Sequence, residues 1–202
     1  MSAPIYQDGF RAAILALSVA LVCAAEDALP ESVRKAEYKG WHDSYILTSP
    51  EAKISVTIVP AVGGRILNFA RNGESIIFET PGSDGKTLAN TTTGFWVGGY
   101  NVDVGPEVRR PPDHKTMWMG PWQAEPAGPC AVKLKSEENA ATGIQLSKKL
   151  SLDPKTGTLT LVQTMKNISD HETQYCLWDR TLCKGGGFCL IPLNKKSRFP
   201  KG

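Results

Sequence analysis

Residues 54–73, ISVTIVPAVGGRILNFARNG, decide the fold. Ile54, Val56 and Ile58 alternate with Ser55, Thr57 and Val59, the period of a strand with one apolar face. Pro60 and the pair Gly63-Gly64 end that strand, and Arg65 to Ala70 form a second. Asn72-Gly73 between apolar runs predicts a hairpin turn, with residues 75–79 completing the pair. Working outward, 44–48 reads as a short strand split from 53–59 by Ser49-Pro50-Glu51. Ile144, Leu146, Leu150 and Leu152 share a face, as do Leu159, Leu161 and Met165 after the turn Asp153-Pro154-Lys155-Thr156-Gly157, which predicts an antiparallel hairpin. Residues 173–183 and 188–193 read as two more strands around Gly185-Gly186-Gly187. No helical period of useful length follows residue 36, so the chain predicts an all-β fold, an antiparallel β-sandwich.

The chain has 202 residues and a net charge of +3. That is enough for one domain with a substantial core, and too little positive charge, too scattered, for a nucleic-acid partner. Residues 12–25, AAILALSVALVCAA, are too short an apolar run to span a bilayer and fit the core of a secretory signal, with cleavage after Ala24 or Ala25. An uncleaved anchor and a lipoprotein attached at Cys23 are the rival readings. The expected organisation is a signal over 1–25, a linker over 26–39 and the β-sandwich over 40–202, in an exported protein with no membrane span once the signal is removed. The polar end Ser197–Gly202 supplies no closing strand, and the chain reads as incomplete there.

Four cysteines follow the signal. Cys183 and Cys189 flank the triple glycine symmetrically, and a hairpin there would oppose them at disulfide spacing; four small buried thiols are the alternative. The three histidines are scattered, no spacing suits zinc, and nothing calls for a cofactor.

The middle of the chain carries the chemistry. Residues 91–123, TTTGFWVGGYNVDVGPEVRRPPDHKTMWMGPWQ, hold Trp96, Trp118 and Trp122 among glycines, with Asp103, Glu107 and Asp113 nearby. Indole faces stack on the C–H face of a pyranose while acids, amides and arginines take its hydroxyls, so the stretch predicts a carbohydrate ligand. The plainer alternative is aromatics capping an open sandwich. Asn101 and Asp103 alternate with Val102 and Val104 and share one face. Glu107 or Asp113 is a candidate acid/base partner for His114. Arg65, freed by Gly63-Gly64, is a hydroxyl or anion ligand or a strand-end surface arginine. On the strand through 173–183, Trp178 and Arg180 share one face and Asp179 takes the other with Tyr175 and Leu177. A buried Asp179 is the catalytic candidate; a structural pair with an arginine is the alternative.

In order, these features resemble the galactose-mutarotase-like superfamily. Residues 54–73 are similar to its first strands, and 158–182, TLTLVQTMKNISDHETQYCLWDRTL, to its central hairpin. Gly98-Gly99, Arg110-Pro111-Pro112-Asp113, the segment from Trp118 to Trp122 and Leu177-Trp178-Asp179 resemble more closely a DUF4380-like family of exported bacterial proteins in that group. The resemblance implies a supersandwich that binds carbohydrate on a concave face. For an aldose 1-epimerase it further implies a histidine acid and a glutamate base. This chain has Val97-Gly98-Gly99 where the family has His-Gly-Gly, and no histidine around Leu177-Trp178-Asp179. The resulting expectation is a sugar binder with Arg65, Trp96, Asn101, Glu107, Trp118, Trp122, Trp178 and Arg180 at its site. A sugar isomerase and a cell-envelope interaction module are the alternatives.

Overall fold

The computed structural model describes residues 32–92, 94–106, 112–192 and 196. Its strands are β1 (Val33–Tyr38), β2 (Trp41–Ser49), β3 (Ile54–Val59), β4 (Arg65–Arg71), β5 (Glu74–Ser75), β6 (Tyr100–Gly105), β7 (Gln123–Pro126), β8 (Ala131–Lys135), β9 (Ile144–Leu152), β10 (Leu159–Asn167) and β11 (Cys176–Thr181). A 3-10 turn, Pro60–Val62, joins β3 to β4, and one five-residue helix, α1 (Lys115–Met119), precedes β7. Seven strands form one sheet in the order β1-β2-β3-β4-β6-β11, with β5 also on β4; the other sheet runs β10-β9-β8-β7. Every strand pairing is antiparallel. The all-β reading holds.

Local sequence accounts for the joints. Asn72 and Gly73 both take positive φ, 53° and 84°, the backbone of a two-residue turn whose twist matches its strands. The period-two faces of the sheets meet in one core: Leu47, Val56, Ile58, Ile66, Val102 and Val104 from the larger sheet, Val132, Leu134, Leu146 and Leu150 from the smaller. Between Leu146 and Leu150 the inward position is Lys148, 1 % exposed. Its Nζ donates to the Gly63 carbonyl at 3.2 Å and stands 4.5 Å from the centre of the Trp122 ring. Burial, with the positive charge of Arg65 second, pushes its ammonium down to about 7.

A second, smaller core lies on the opposite face of the larger sheet. Trp41, Val59, Val62 and Leu67 are covered there by Val97, Leu88 and Phe95 from the β5–β6 connection and by Met119 and Trp118 of α1. This cover decides what reaches the outer face, and it is where the site forms.

Three expectations are corrected. The segment 26–39 is not all linker, because β1 begins at Val33 and pairs with β2, its Val33 buried opposite Leu47. Residues 188–192 form no strand: Phe188, Leu190 and Ile191 are exposed with no sheet to pack on. The glycines therefore do not turn a hairpin. Cys183 instead bridges to Ile77, and Cys130, Cys176, Cys183 and Cys189 are all free thiols, so the 183–189 disulfide is not formed. The signal over 1–25 lies outside the described residues. No helix among the described residues is long and apolar enough to cross a membrane.

Candidate functional site

β6 is the element that sequence patterning alone left inside a long connection, and it builds the site. Tyr100, Val102 and Val104 face the main core, so Asn101 and Asp103 face outward beneath the covering loops. β11 pairs with β6 in the register Trp178↔Asp103 and Arg180↔Asn101. Directly paired residues share a face, which brings Asn101, Asp103, Trp178 and Arg180 together. Arg65, at the start of β4, joins the same face, since Ile66 beside it enters the main core.

Arg65 is 1 % exposed. One terminal nitrogen donates to the Gly98 carbonyl at 2.8 Å, the other to the Trp118 carbonyl at 3.3 Å and the Met119 sulfur at 3.1 Å. It thus ties the β6 approach to α1. Its charge meets no carboxylate oxygen at ion-pair distance among the described residues. Burial, then repulsion from Arg180, pushes the guanidinium down to about 10, where it still stays charged at neutral pH.

Above it the aromatics gather. Trp96 and Trp118 have ring centres 5.4 Å apart with planes tilted by 40°, and Trp96 is 52 % exposed. The Arg180 guanidinium lies 5.7 Å from the Trp96 ring and 5.9 Å from the Trp178 ring, within cation–π reach of both. The loop reaches this far because Gly98 can adopt φ 86°; a Cβ there would sit 2.3 Å from the Phe78 carbonyl oxygen.

Asp103 has the partner that sequence reading assigned elsewhere. His114 Nε2 is 3.3 Å from Asp103 Oδ1, and the Asp103 carboxylate is also held by the Val104 N–H at 2.7 Å. His114 Nδ1 is 2.8 Å from the Pro112 carbonyl oxygen. A carbonyl only accepts, so Nδ1 carries a proton. Nε2 can then bond the carboxyl only if a further proton lies on His114 or on Asp103. Burial pushes the Asp103 carboxyl up, against the opposing pull of the Val104 N–H, His114 and Arg180. A largely buried carboxyl–imidazole pair beside the indoles is a general acid/base arrangement for a bound hydroxyl.

Of the predicted residues, Arg65, Trp96, Asn101, Trp118, Trp178 and Arg180 assemble on this face. Glu107 lies outside the described residues. Trp122 does not belong: it is 4 % exposed, packs in the main core and donates from its indole to the Met117 carbonyl at 2.7 Å. Trp122→Ala should lower the unfolding free energy by about 3 kcal/mol through the cavity it leaves, readable in urea titration. Asp179 pairs with Val102 and so faces away from Arg180, toward the Tyr100 side, and it is exposed. The expected buried acid is not at 179, because β11 is an edge strand with nothing packed over that face. Asp113 caps the local turn at the Lys115 N–H instead of holding His114. The alternation of Asn101 and Asp103 between apolar valines had marked their shared face; the pairing of Asp103 with His114 depends on how the loop before α1 folds over β6 and carries no local signal.

A separate polar cleft of 360 Å³, lined by Pro112, Thr142, Gly143, His171 and Tyr175 among others, has no comparable set; its His171 is exposed and paired to Asp170. No group of three or more metal-ligating side chains occurs among the described residues. Comparison with protein-family models, with curated proteins and with solved structures finds no match to this chain.

Proposed function

We propose that the protein is an exported carbohydrate-binding protein of the galactose-mutarotase-like type, with its sugar site on the outer face of the larger sheet. The observation that carries this reading is the open indole pair of Trp96 and Trp118 at 5.4 Å, set above buried polar side chains of Asn101 and Asp103. An apolar platform over hydrogen-bonding groups matches the two faces of a pyranose. Two packed antiparallel sheets with a loop-built site on one outer face also suit the resemblance seen in the sequence. Saturation-transfer NMR against a panel of sugars tests it. Transfer to a pyranose ring is expected, weakened about tenfold in Trp118→Ala, the ~1.4 kcal/mol of one stacked face. A folded protein that shows no transfer overturns the reading and favours the envelope-interaction alternative.

The Asp103–His114 pair favours a second reading, a sugar isomerase in which this pair, and not Asp179, handles the proton. Faster anomer interconversion, lost in Asp103→Asn, is its signature.

A further inference from the structure

The site has more hydrogen-bond donors and more positive charge than its own acceptors satisfy. The Asp103 carboxyl is already engaged by the Val104 N–H and by His114 Nε2, and it meets neither guanidinium at ion-pair distance. Arg65 is buried without a carboxylate, and its Nε has no hydrogen-bond partner among the described residues. Asn101, 2 % exposed, has an unpartnered Nδ2 in register with Arg180. The Arg180 guanidinium lies against the Trp96 and Trp178 rings, and it meets no carboxylate of the described residues at ion-pair distance. A buried donor left unpaired costs about 1–3 kcal/mol, so such a set is kept where something else supplies the acceptor.

From this excess we infer that the ligand is an acidic saccharide, a uronic acid whose carboxylate is taken by Arg180 with Asn101 Nδ2 beneath it. The inference rests on the carbohydrate reading above. The planar fork of a guanidinium matches a carboxylate with two parallel bonds, which a neutral hydroxymethyl group cannot offer. Arg180 covers the indole faces that a ring would stack on. Drawing its guanidinium onto a carboxylate uncovers Trp96 and Trp178 and reaches the Asn101 donor in one movement. Arg65 stays in place, fixed by its three bonds, and adds a fixed positive field under the site. A neutral sugar would have to displace Arg180 with nothing to receive it.

The test is isothermal titration of the purified protein with galacturonate, galactose and galactose 6-phosphate, repeated on Arg180→Gln and Arg180→Lys. Arg180 is half-buried on an edge strand and its guanidinium forms no ion pair with a described residue, so both variants should keep the wild-type circular dichroism and melting profile. Galacturonate is expected to bind at least about tenfold more tightly than galactose. That preference should disappear in Arg180→Gln and return only in part in Arg180→Lys, which keeps the charge but not the fork. Tighter binding of the phosphate than of the uronate overturns the carboxylate assignment. Equal binding of galactose and galacturonate overturns the inference and leaves the carbohydrate reading standing, whereas binding of no sugar by the folded protein overturns both. A uronate preference that survives Arg180→Gln also overturns it.

Discussion

Lys148→Met should abolish a rise in stability of about 4 kcal/mol between pH 6 and pH 10, the difference that a lysine with pKa near 7 when folded and 10.5 when unfolded imposes. The sign follows from proton counts. Above pH 7 the folded state has released the Lys148 proton while the unfolded chain still holds it, so unfolding takes up a proton and stability climbs with pH until both forms are neutral. Below pH 7 the ammonium is charged in both states and the folded one bears the full cost of burying it. The bond to the Gly63 carbonyl and the Trp122 ring at 4.5 Å offset part of that cost. Methionine fills the same volume without a charge. The variant should therefore gain most at pH 6 and almost nothing at pH 10. Urea midpoints of both proteins across that range check it, and parallel curves would mean that Lys148 is not charged-and-buried as described.

Gly63→Ala should cost about 4 kcal/mol, adding left-handed strain to a backbone collision. Gly63 has φ 76°, and a Cβ on it would lie 2.2 Å from the Trp118 carbonyl oxygen and 2.6 Å from its carbon. Neither is a flexible side-chain end, so α1 itself must move. The Gly63 N–H also donates to the carbonyl of Gly120, the C-cap of the same helix, at 2.7 Å. The substitution thus separates the β3–β4 joint from the helix that presents Trp118 and precedes which His114 is set. Thermal unfolding should fall sharply, and any sugar binding should fall more than stability alone explains. A midpoint within a few degrees of wild type would show that α1 is not seated on Gly63.

How much of this was legible in the sequence depends on which physical signal each part carries. Alternation marked β3, β9 and β10, and the flanking Gly63-Gly64 and Asn72-Gly73 bounded β4. The Asn72-Gly73 turn was legible because so few residues adopt its two positive φ values. The alternation of Asn101 and Asp103 with Val102 and Val104 was legible in β6, but its six-residue extent and the burial of its polar face were not, because that face is covered by loops and not by the core. Lys148 was legible and passed over: alternation through Ile144, Leu146, Leu150 and Leu152 places it inward. The faces of Trp178, Asp179 and Arg180 followed from strand geometry, but burial did not, because whether β11 is an edge is a matter of topology. Trp122 and Trp118 stand four residues apart on one motif, yet one fills the core and the other the site. Only the short helix that carries Trp118 and ends before Trp122, which the apolar pattern does not announce, decides that.

The central claim is that sugar binds on the outer face of the larger sheet, and the five indole N–H resonances of the protein test it most directly. Trp41 and Trp122 are buried and donate to the carbonyls of Lys86 and Met117 at 2.9 and 2.7 Å, so neither indole offers a face to a ligand. Trp96, Trp118 and Trp178 surround it. With the five signals assigned by single substitutions, titration with galacturonate should shift the resonances of Trp96, Trp118 and Trp178 and leave those of Trp41 and Trp122 in place. Saturating uronate that moves none of the five, or that moves only Trp41 and Trp122, would contradict the site.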